Sequence, residues 1–372
     1  MHGKIGLIVL ESAARLGRRV DLVLSEWRDG EHFVIPLDCP RFSSGEGKGM
    51  IKDSVRGYDI YILVDVGAYN CTYQMYGQTV PMGPDEHYMD LKRIIAAMGG
   101  KAKRINVIMP FLYESRQHRK SSRESLDCAM ALQELAGLGV SNIITFDAHD
   151  PRVQNAIPLD GFENVMPSYQ IMKALCKNVG DLRFDKNSMM FISPDEGAVQ
   201  RNIYYASLLS MDLGMFYKRR DYTTVVNGRN PIVAHEYLGA DVEGKDCIVV
   251  DDMISSGESI IDLAHELKKR KANRIFAACS FAFFTNGIEA FDKAYKDGII
   301  SRVISTDLTY LRPEALNSPW FIRADMSKYI SYIIATLNHD RSLHSLLTPQ
   351  DRIRKLIERY KAEQVNSGVS LV

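Results

Sequence analysis

The chain of 372 residues carries no net charge, with 46 Lys and Arg set against 46 Asp and Glu. No overall field therefore draws it to nucleic acid or to a membrane surface. It also lacks any apolar run near the roughly 20 residues that span a bilayer. Residues Met1 to Leu10 enter an apolar, strand-like stretch directly, without a long hydrophobic region and a small-residue cleavage site. No secretory signal is expected. Cysteine is scarce and scattered: the six, at positions 39, 71, 128, 176, 247 and 279, form no CxxC pair. That argues against a zinc site or a disulfide framework and for a reduced, cytoplasmic protein. The apolar content of 46% is ordinary for a soluble globular protein, and the length suggests two domains.

What is present is an alternation. Strand-like runs are expected at residues 58–66, 104–112, 142–149, 189–195, 213–218, 245–254, 274–284 and 302–308. Helical periodicity falls between them, at 88–98, 123–138, 168–179, 198–211, 258–269 and 288–296. This predicts βαβ units and mainly parallel sheets, an α/β fold. A weak internal echo suggests two related domains. Ile143-Ile144-Thr145-Phe146-Asp147-Ala148-His149-Asp150 and Ile248-Val249-Val250-Asp251-Asp252 are both apolar strands that end in acids. With a join near 158–167, the expected domains are 1–162 and 163–338, followed by a helical tail at 339–372. In that tail, 340–363 reads as a charged helix pair and 365–372 as a frayed end. Residues 39–49, 67–85 and 219–231 read as loops, either functional or ordinary surface.

Five stretches could carry chemistry. Cys247 to Ser259 reads as a buried strand, two carboxylates, a small-residue turn and a helix start near Gly257. The carboxyl edge of a parallel sheet is where open α/β folds bind ligands, and free amides at a helix start suit a phosphate. Ser255-x-x-Glu258 equally fits a capping box. Trp27-Arg28-Asp29-Gly30-Glu31 is an aromatic followed by an Asp-Gly turn, common in hairpins. Ser115-Arg116-Gln117-His118-Arg119-Lys120 follows a strand and suits either phosphate or solvent. His149 sits between Asp147 and Asp150 at a strand end, where it is either structural or a ligand. Tyr217-Lys218-Arg219-Arg220 opens the last long loop, from which cations could close over a phosphate or simply face water. Carboxylates, phosphate-binding amides and cations together suit Mg²⁺ and phosphoryl-type transfer on a sugar phosphate.

In several motifs and in their order, the chain resembles the ribose-phosphate pyrophosphokinases over about residues 27–338. Asp29-Gly30-Glu31 looks like that family's nucleotide-contacting turn, and Trp27 stands where the family has an adenine-stacking phenylalanine. Arg116-Gln117 matches its ATP-binding pair. Asp85-Glu86-His87 is similar to its Asn-Glu-His. Asp147-x-His149 matches Asp-Leu-His, and Ser193-Pro194-Asp195 matches Ser-Pro-Asp; the resemblance makes His149 and Asp195 the Mg²⁺ residues. Lys218-Arg219-Arg220 matches the start of the catalytic loop. Val250-Asp251-Asp252-Met253-Ile254 matches the ribose-phosphate loop. The resemblance implies two phosphoribosyltransferase-like α/β domains, ATP and ribose 5-phosphate as substrates, and a homo-oligomer, usually a hexamer. It implies Lys218, Arg220 and His149 as catalytic residues. It also implies that Asp251 and Asp252 hold the ribose hydroxyls, and that the amides over Ser255, Ser256, Gly257, Glu258 and Ser259 hold the 5-phosphate.

The departures are specific. The family's Asp-Thr-Gly-Gly-Thr is here Ser255-Ser256-Gly257-Glu258-Ser259, so a carboxylate stands beside the phosphate position. Glu258 is expected to point outward along the helix, since repulsion would otherwise weaken binding. His118 replaces an aspartate. Insertions fall at about 39–50, 67–82 and 222–231, where they could alter subunit contacts and the family's regulatory phosphate/ADP site. Two other functions fit parts of the pattern: a non-catalytic regulatory paralogue, suggested by the altered loop, and a phosphoribosyltransferase, which shares the paired aspartates.

Overall fold

The computed structural model describes residues 3–220 and 232–366, with the side chains of 218–220, 232–235 and 366 left out. The described residues form two compact units. The first takes those of Met1–Pro167, Asp307–Tyr310 and Asp325–Thr348; the second takes those of Ser168–Thr306, Leu311–Ala324 and Pro349–Val372.

The sheet of the first unit has five strands: β1 (Lys4–Val9), β2 (Tyr58–Leu63), β3 (Arg104–Ile108), β4 (Asn142–Phe146) and β5 (Gly161–Val165), in that spatial order. All are parallel. The central strands are buried on both faces, which is why they read as continuous apolar runs rather than alternating ones. Helices α1 (Ala14–Glu26), α2 (Pro84–Met98) and α3 (Asp127–Gly137) connect them. Helix α1 and strand β5 were not expected. The signal for α1 is Leu16, Val20 and Leu24, buried at every fourth position. Strand β5 lies at the sheet edge, where the expected join between domains was placed, and is only half-buried.

Two of the expected loops hold short hairpins, Leu37–Asp38 with Met50–Ile51 and Thr72–Met75 with Gln78–Pro81. The Trp27–Glu31 turn is not part of a hairpin. It closes α1, with the Gly30 N–H donating to the Ser25 carbonyl at 3.0 Å and Asp29 and Gly30 at φ of 53° and 87°.

The sheet of the second unit contains β6 (Met189–Ser193), β7 (Asp212–Arg220), β8 (Ile232–Gly239), β9 (Asp246–Ile254), β10 (Ile275–Ala282), β11 (Arg302–Thr306) and β12 (Phe321–Ala324). The spatial order is β8-β7-β6-β9-β10-β11-β12, parallel except for the antiparallel pair β7 and β8. Helices α4 (Ser168–Asn178), α5 (Val199–Leu209), α6 (Glu258–Lys269) and α7 (Glu289–Lys296) flank it. Strand β9 is central, and β10 beside it is buried along its whole length.

The two last long helices are α8 (Ser327–Asn338), which packs on α1, and α9 (Gln350–Asn366), which packs on α4 and α5. The region expected as a charged tail is thus held down. The Tyr360 hydroxyl donates to the Val179 carbonyl at 2.5 Å and accepts from the Leu182 N–H at 2.9 Å. Residues 367–372 lie outside the described residues. No described helix is long and apolar enough to cross a membrane.

Candidate functional site

Most of the candidate residues fall into two groups, one at the carboxyl edge of each sheet. In the second unit, Cys247 to Val250 are fully buried and deliver Asp251 and Asp252 to the end of β9. Asn202 on α5 braces this end, with Nδ2 donating to the Val250 carbonyl at 2.8 Å. The Asp251 carboxylate accepts the Asp252 N–H at 2.9 Å, and Asp252 accepts the Met253 N–H at 2.9 Å. Burial, and then the neighbouring Asp252 carboxylate, pushes the Asp251 pKa well above the usual carboxylate range. Arg201, 3.7 Å away, opposes that shift. A pair of this kind is set to receive hydroxyl donors, which relieve the repulsion. Nearby, Ser193 donates to the Asp195 carbonyl at 2.8 Å, and Asp195 Oδ1 accepts the Ala198 N–H at 3.2 Å.

The turn after β9 depends on Gly257. Its φ of +89° is left-handed, and a Cβ there would lie 2.2 Å from the Phe291 ring. Helix α6 starts at Glu258 with Gly257 as its N-cap, so no Ser255–Glu258 capping box forms. Instead, Ser256 Oγ accepts the Glu258 N–H at a long 3.4 Å. Among the described residues, the N–H groups of Ser256 and Gly257 meet no backbone or side-chain acceptor. Ser255 and Ser259 are exposed. Glu258 is exposed and accepts from Asn286 Nδ2 at 3.3 Å, on the loop after β10. The result is a short concave run of amides at the positive end of a 12-residue helix, suited to an anion. The backbone of Lys218 and Arg220 ends β7 against β8; their side chains, and the 222–231 insertion, lie outside the described residues.

In the first unit, neighbouring strands β3 and β4 bring two loops together. Arg116 and Gln117 are exposed on the first. His118, on the same loop, has its ring centroid 5.3 Å from that of His149 and its Nε2 3.5 Å from Asp150. His149 is exposed between buried Asp147, at φ 44°, and Asp150. Asp150 caps the following 3₁₀ turn, Pro151–Ala156, by accepting the Arg152 N–H at 2.9 Å. Hydrogen bonds from the Arg152 side chain hold the Asp150 pKa down, to about 2.

Trp27, Asp29, Gly30 and Glu31 do not join this group. Glu31 pairs with Lys4 at 3.2 Å, and Lys4 is the first residue of β1. The turn therefore sits at the amino edge of a parallel sheet whose carboxyl edge holds Arg116, Gln117 and His149. The Trp27 ring is 37% exposed and packs 4.7 Å from the Tyr332 ring. A second stretch with similar letters, Phe42-Ser43-Ser44-Gly45-Glu46, forms the tip of the hairpin between Leu37–Asp38 and Met50–Ile51, with Phe42 59% exposed. The aromatic residue and the Gly-Glu pair were the signal that could have drawn attention to it.

Among the described residues, no cluster of three or more His, Cys, Asp or Glu forms a metal cage. Mg²⁺ does not need one. It keeps several waters and takes one or two carboxylates together with substrate phosphates. Asp195 is a half-buried carboxylate just beyond the end of β6.

Residues 6–139 match the family described as the N-terminal domain of ribose phosphate pyrophosphokinase, and residues 159–308 match the phosphoribosyl transferase domain. The ribose-phosphate pyrophosphokinase of Vibrio cholerae is 28% identical over 312 residues, covering 82% of this chain and 89% of its own. That of Pasteurella multocida is 28% identical over 346 residues, covering 91% and 96%. The crystal structure of phosphoribosylpyrophosphate synthetase from Mycobacterium smegmatis shares the fold, with a TM-score of 0.72 at 22% identity over 91% of this chain and 99% of that one. With the N-terminal pyrophosphokinase domain followed by a phosphoribosyl transferase domain, the chain belongs to the ribose-phosphate pyrophosphokinase family.

Proposed function

We propose that this chain transfers the pyrophosphoryl group of Mg-ATP to ribose 5-phosphate, giving 5-phosphoribosyl 1-pyrophosphate and AMP. The anomeric hydroxyl oxygen bonds to the β-phosphorus. The bond from that phosphorus to the oxygen bridging to the α-phosphate breaks, AMP leaves with that oxygen, and the hydroxyl proton passes to solvent. Such a reaction asks for positioning and charge stabilisation rather than covalent catalysis. The observation that carries this reading is the turn after β9, where paired carboxylates lead directly into a glycine-opened helix start.

Asp251 and Asp252 would hold the ribose hydroxyls, and the amides from Ser255 to Ser259 the 5-phosphate. Arg116 and Gln117 would bind the nucleotide. His149 and Asp195 would hold the magnesium, which neutralises phosphate charge when bound. Lys218 and Arg220 would neutralise charge on the group in flight. The family resemblance adds a homo-oligomer, usually a hexamer, and the scattered cysteines favour the cytoplasm. For the adenine-stacking aromatic, Phe42 competes with Trp27, because its ring is more exposed and stands on a turn of its own. Replacing each by alanine decides between them: the stacking residue is the one whose loss raises KM for ATP, by about two- to tenfold for a stack of about 0.5–1.5 kcal/mol.

The deciding experiment measures AMP release from Mg-ATP with and without ribose 5-phosphate. Release that depends on the sugar phosphate, with equal 5-phosphoribosyl 1-pyrophosphate, supports the reading. ATP binding with no release by the folded protein would instead favour the non-catalytic paralogue, towards which Ser255 and Glu258 point.

A further inference from the structure

The first unit holds a half-open cavity of about 930 Å³ that the proposed reaction leaves unused. It lies at the carboxyl end of β1, between the segment that carries the Leu37–Asp38 and Met50–Ile51 hairpin and the inserted hairpin Thr72–Met75 with Gln78–Pro81. The two hairpins are tied together. The Tyr76 N–H donates to the Ser43 carbonyl at 2.8 Å, and the Arg41 guanidinium sits 5.5 Å from the centre of the Tyr73 ring. The volume is that of a site for a small organic ligand.

The lining selects the ligand's chemistry. Leu10, Val34, Pro36, Met50, Tyr73 and Met82 supply an apolar wall. Among the described residues, Arg41 is the one arginine or lysine in the lining, and it is committed. Its side chain is 6% exposed, donates to Asp90 at 2.8 Å and to the Cys39 carbonyl at 3.3 Å. Asp90 is committed in turn, with Arg93 on its other oxygen at 2.8 Å, and Asp38 pairs with Lys52 at 2.6 Å.

Ser12, Asn70, Thr72 and Gln74 add neutral polar groups, so Glu11 and His87 are the titratable side chains of the lining left to set the ligand's charge. Among the described residues, the exposed Glu11 carboxylate has no ion pair or hydrogen bond. His87, buried in the first turn of α2, places Nε2 2.9 Å from the Ala68 carbonyl, which can only accept. Nε2 therefore carries the proton. Burial lowers the His87 pKa and keeps the ring neutral, which leaves Nδ1 as a lone pair. A cavity with apolar walls, an open carboxylate, a neutral imidazole acceptor and no open cation does not suit a phosphate.

We propose that this cavity binds an organic monocation, an amidine or amine carried on an apolar or aromatic body. Its N–H groups would meet Glu11 and His87 Nδ1, and its body the apolar wall. The site is independent of the reaction proposed above.

The test uses the full chain and two probes of one shape and opposite charge, benzamidine and benzoate, titrated by calorimetry. Benzamidine is expected to bind at about millimolar concentration, a reasonable affinity for a molecule of its size. Benzoate should bind at least about tenfold more weakly, since it would face Glu11 with no cation to pair it. Glu11→Gln, an exposed change, should weaken benzamidine about fivefold or more, and Val34→Trp, which fills the cavity, should abolish binding while the thermal melt stays cooperative. Equal binding of the two probes would overturn the proposal. So would an absence of benzamidine binding to the wild-type chain, or unchanged binding in both variants.

Discussion

Strands β4 and β9 are both short apolar runs that end in aspartates, but the turns after them leave different groups open. After β9, Gly257 turns the chain with a left-handed φ, and a 12-residue helix follows with amides of the turn unpaired. After β4, Pro151 brings no N–H, and Asp150 takes the Arg152 N–H for itself. The first turn can hold an anion with its backbone. The second has used its backbone and offers side chains, His149 with His118 beside it. An apolar strand ending in acids therefore does not determine how a site binds; the next few residues do.

The largest effect should come from Asp251→Asn. Turnover with ribose 5-phosphate should fall by about a hundredfold or more if the carboxylate holds the sugar in the transition state. Stability should move the other way. The Asp251 pKa is raised in the folded state, so its ionisation costs stability as pH rises above the ordinary carboxylate value of about 4. The variant should melt higher than wild type at pH 7 and no higher at pH 3. A variant that kept its turnover would break the assignment of the β9 turn.

Gly257→Ala comes next. Its Cβ would collide with Phe291, which cannot retreat because it stacks on Trp320 and meets Phe284. Together with the positive φ, a loss of about 1–3 kcal/mol in urea unfolding is expected. An unchanged midpoint would mean that the turn relaxes freely.

On the other side of the comparison, Asp150→Ala removes a cap and an ion pair, a loss of about 1 kcal/mol. The sign of its pH dependence is opposite to that of Asp251. Asp150 is held at about 2, below its ordinary value, so its contribution is present above pH 4 and fades as pH falls towards 2. Wild type and variant should converge over that window; a constant gap would assign the loss to packing instead.

The smallest effect is expected from Glu258→Gly, which removes the carboxylate beside the anion site. KM for ribose 5-phosphate should fall a few-fold, because Glu258 is exposed and drawn towards Asn286. A rise in KM would show that Glu258 contributes to binding.

Much of the fold was legible because parallel strands buried on both faces read as continuous apolar runs. Strands β2, β3, β4, β6, β9, β10 and β11 all fall within the expected ranges, and α6 coincides with its range. Helix α1 was not expected: its buried Leu16, Val20 and Leu24 recur at every fourth position, but Arg15, Gly17, Arg18 and Arg19 interrupt the pattern. Edge strand β5 and strand β12 are too short or too half-buried to stand out. At the candidate sites, the placement of Asp251, Asp252 and the Gly257 turn was legible, since it follows from neighbours in sequence. The Trp27–Glu31 turn was not. Its Asp-Gly letters suit a hairpin and a helix end alike, and only its contact with Lys4 shows which edge of the sheet it occupies.

The sequence by itself determined the alternation of strands and helices, the doubling of an acid-ended strand, and the glycine at which α6 begins. These are local properties, set by side-chain periodicity and by the backbone freedom of single residues. Tertiary structure alone decided that α8 packs in the first unit and α9 in the second. It alone brought His118 beside His149, and gathered Glu11 and His87 around one cavity whose only cation is already paired. Pairings between residues far apart in sequence depend on which strands become neighbours and which charges are buried together, and no local pattern encodes that.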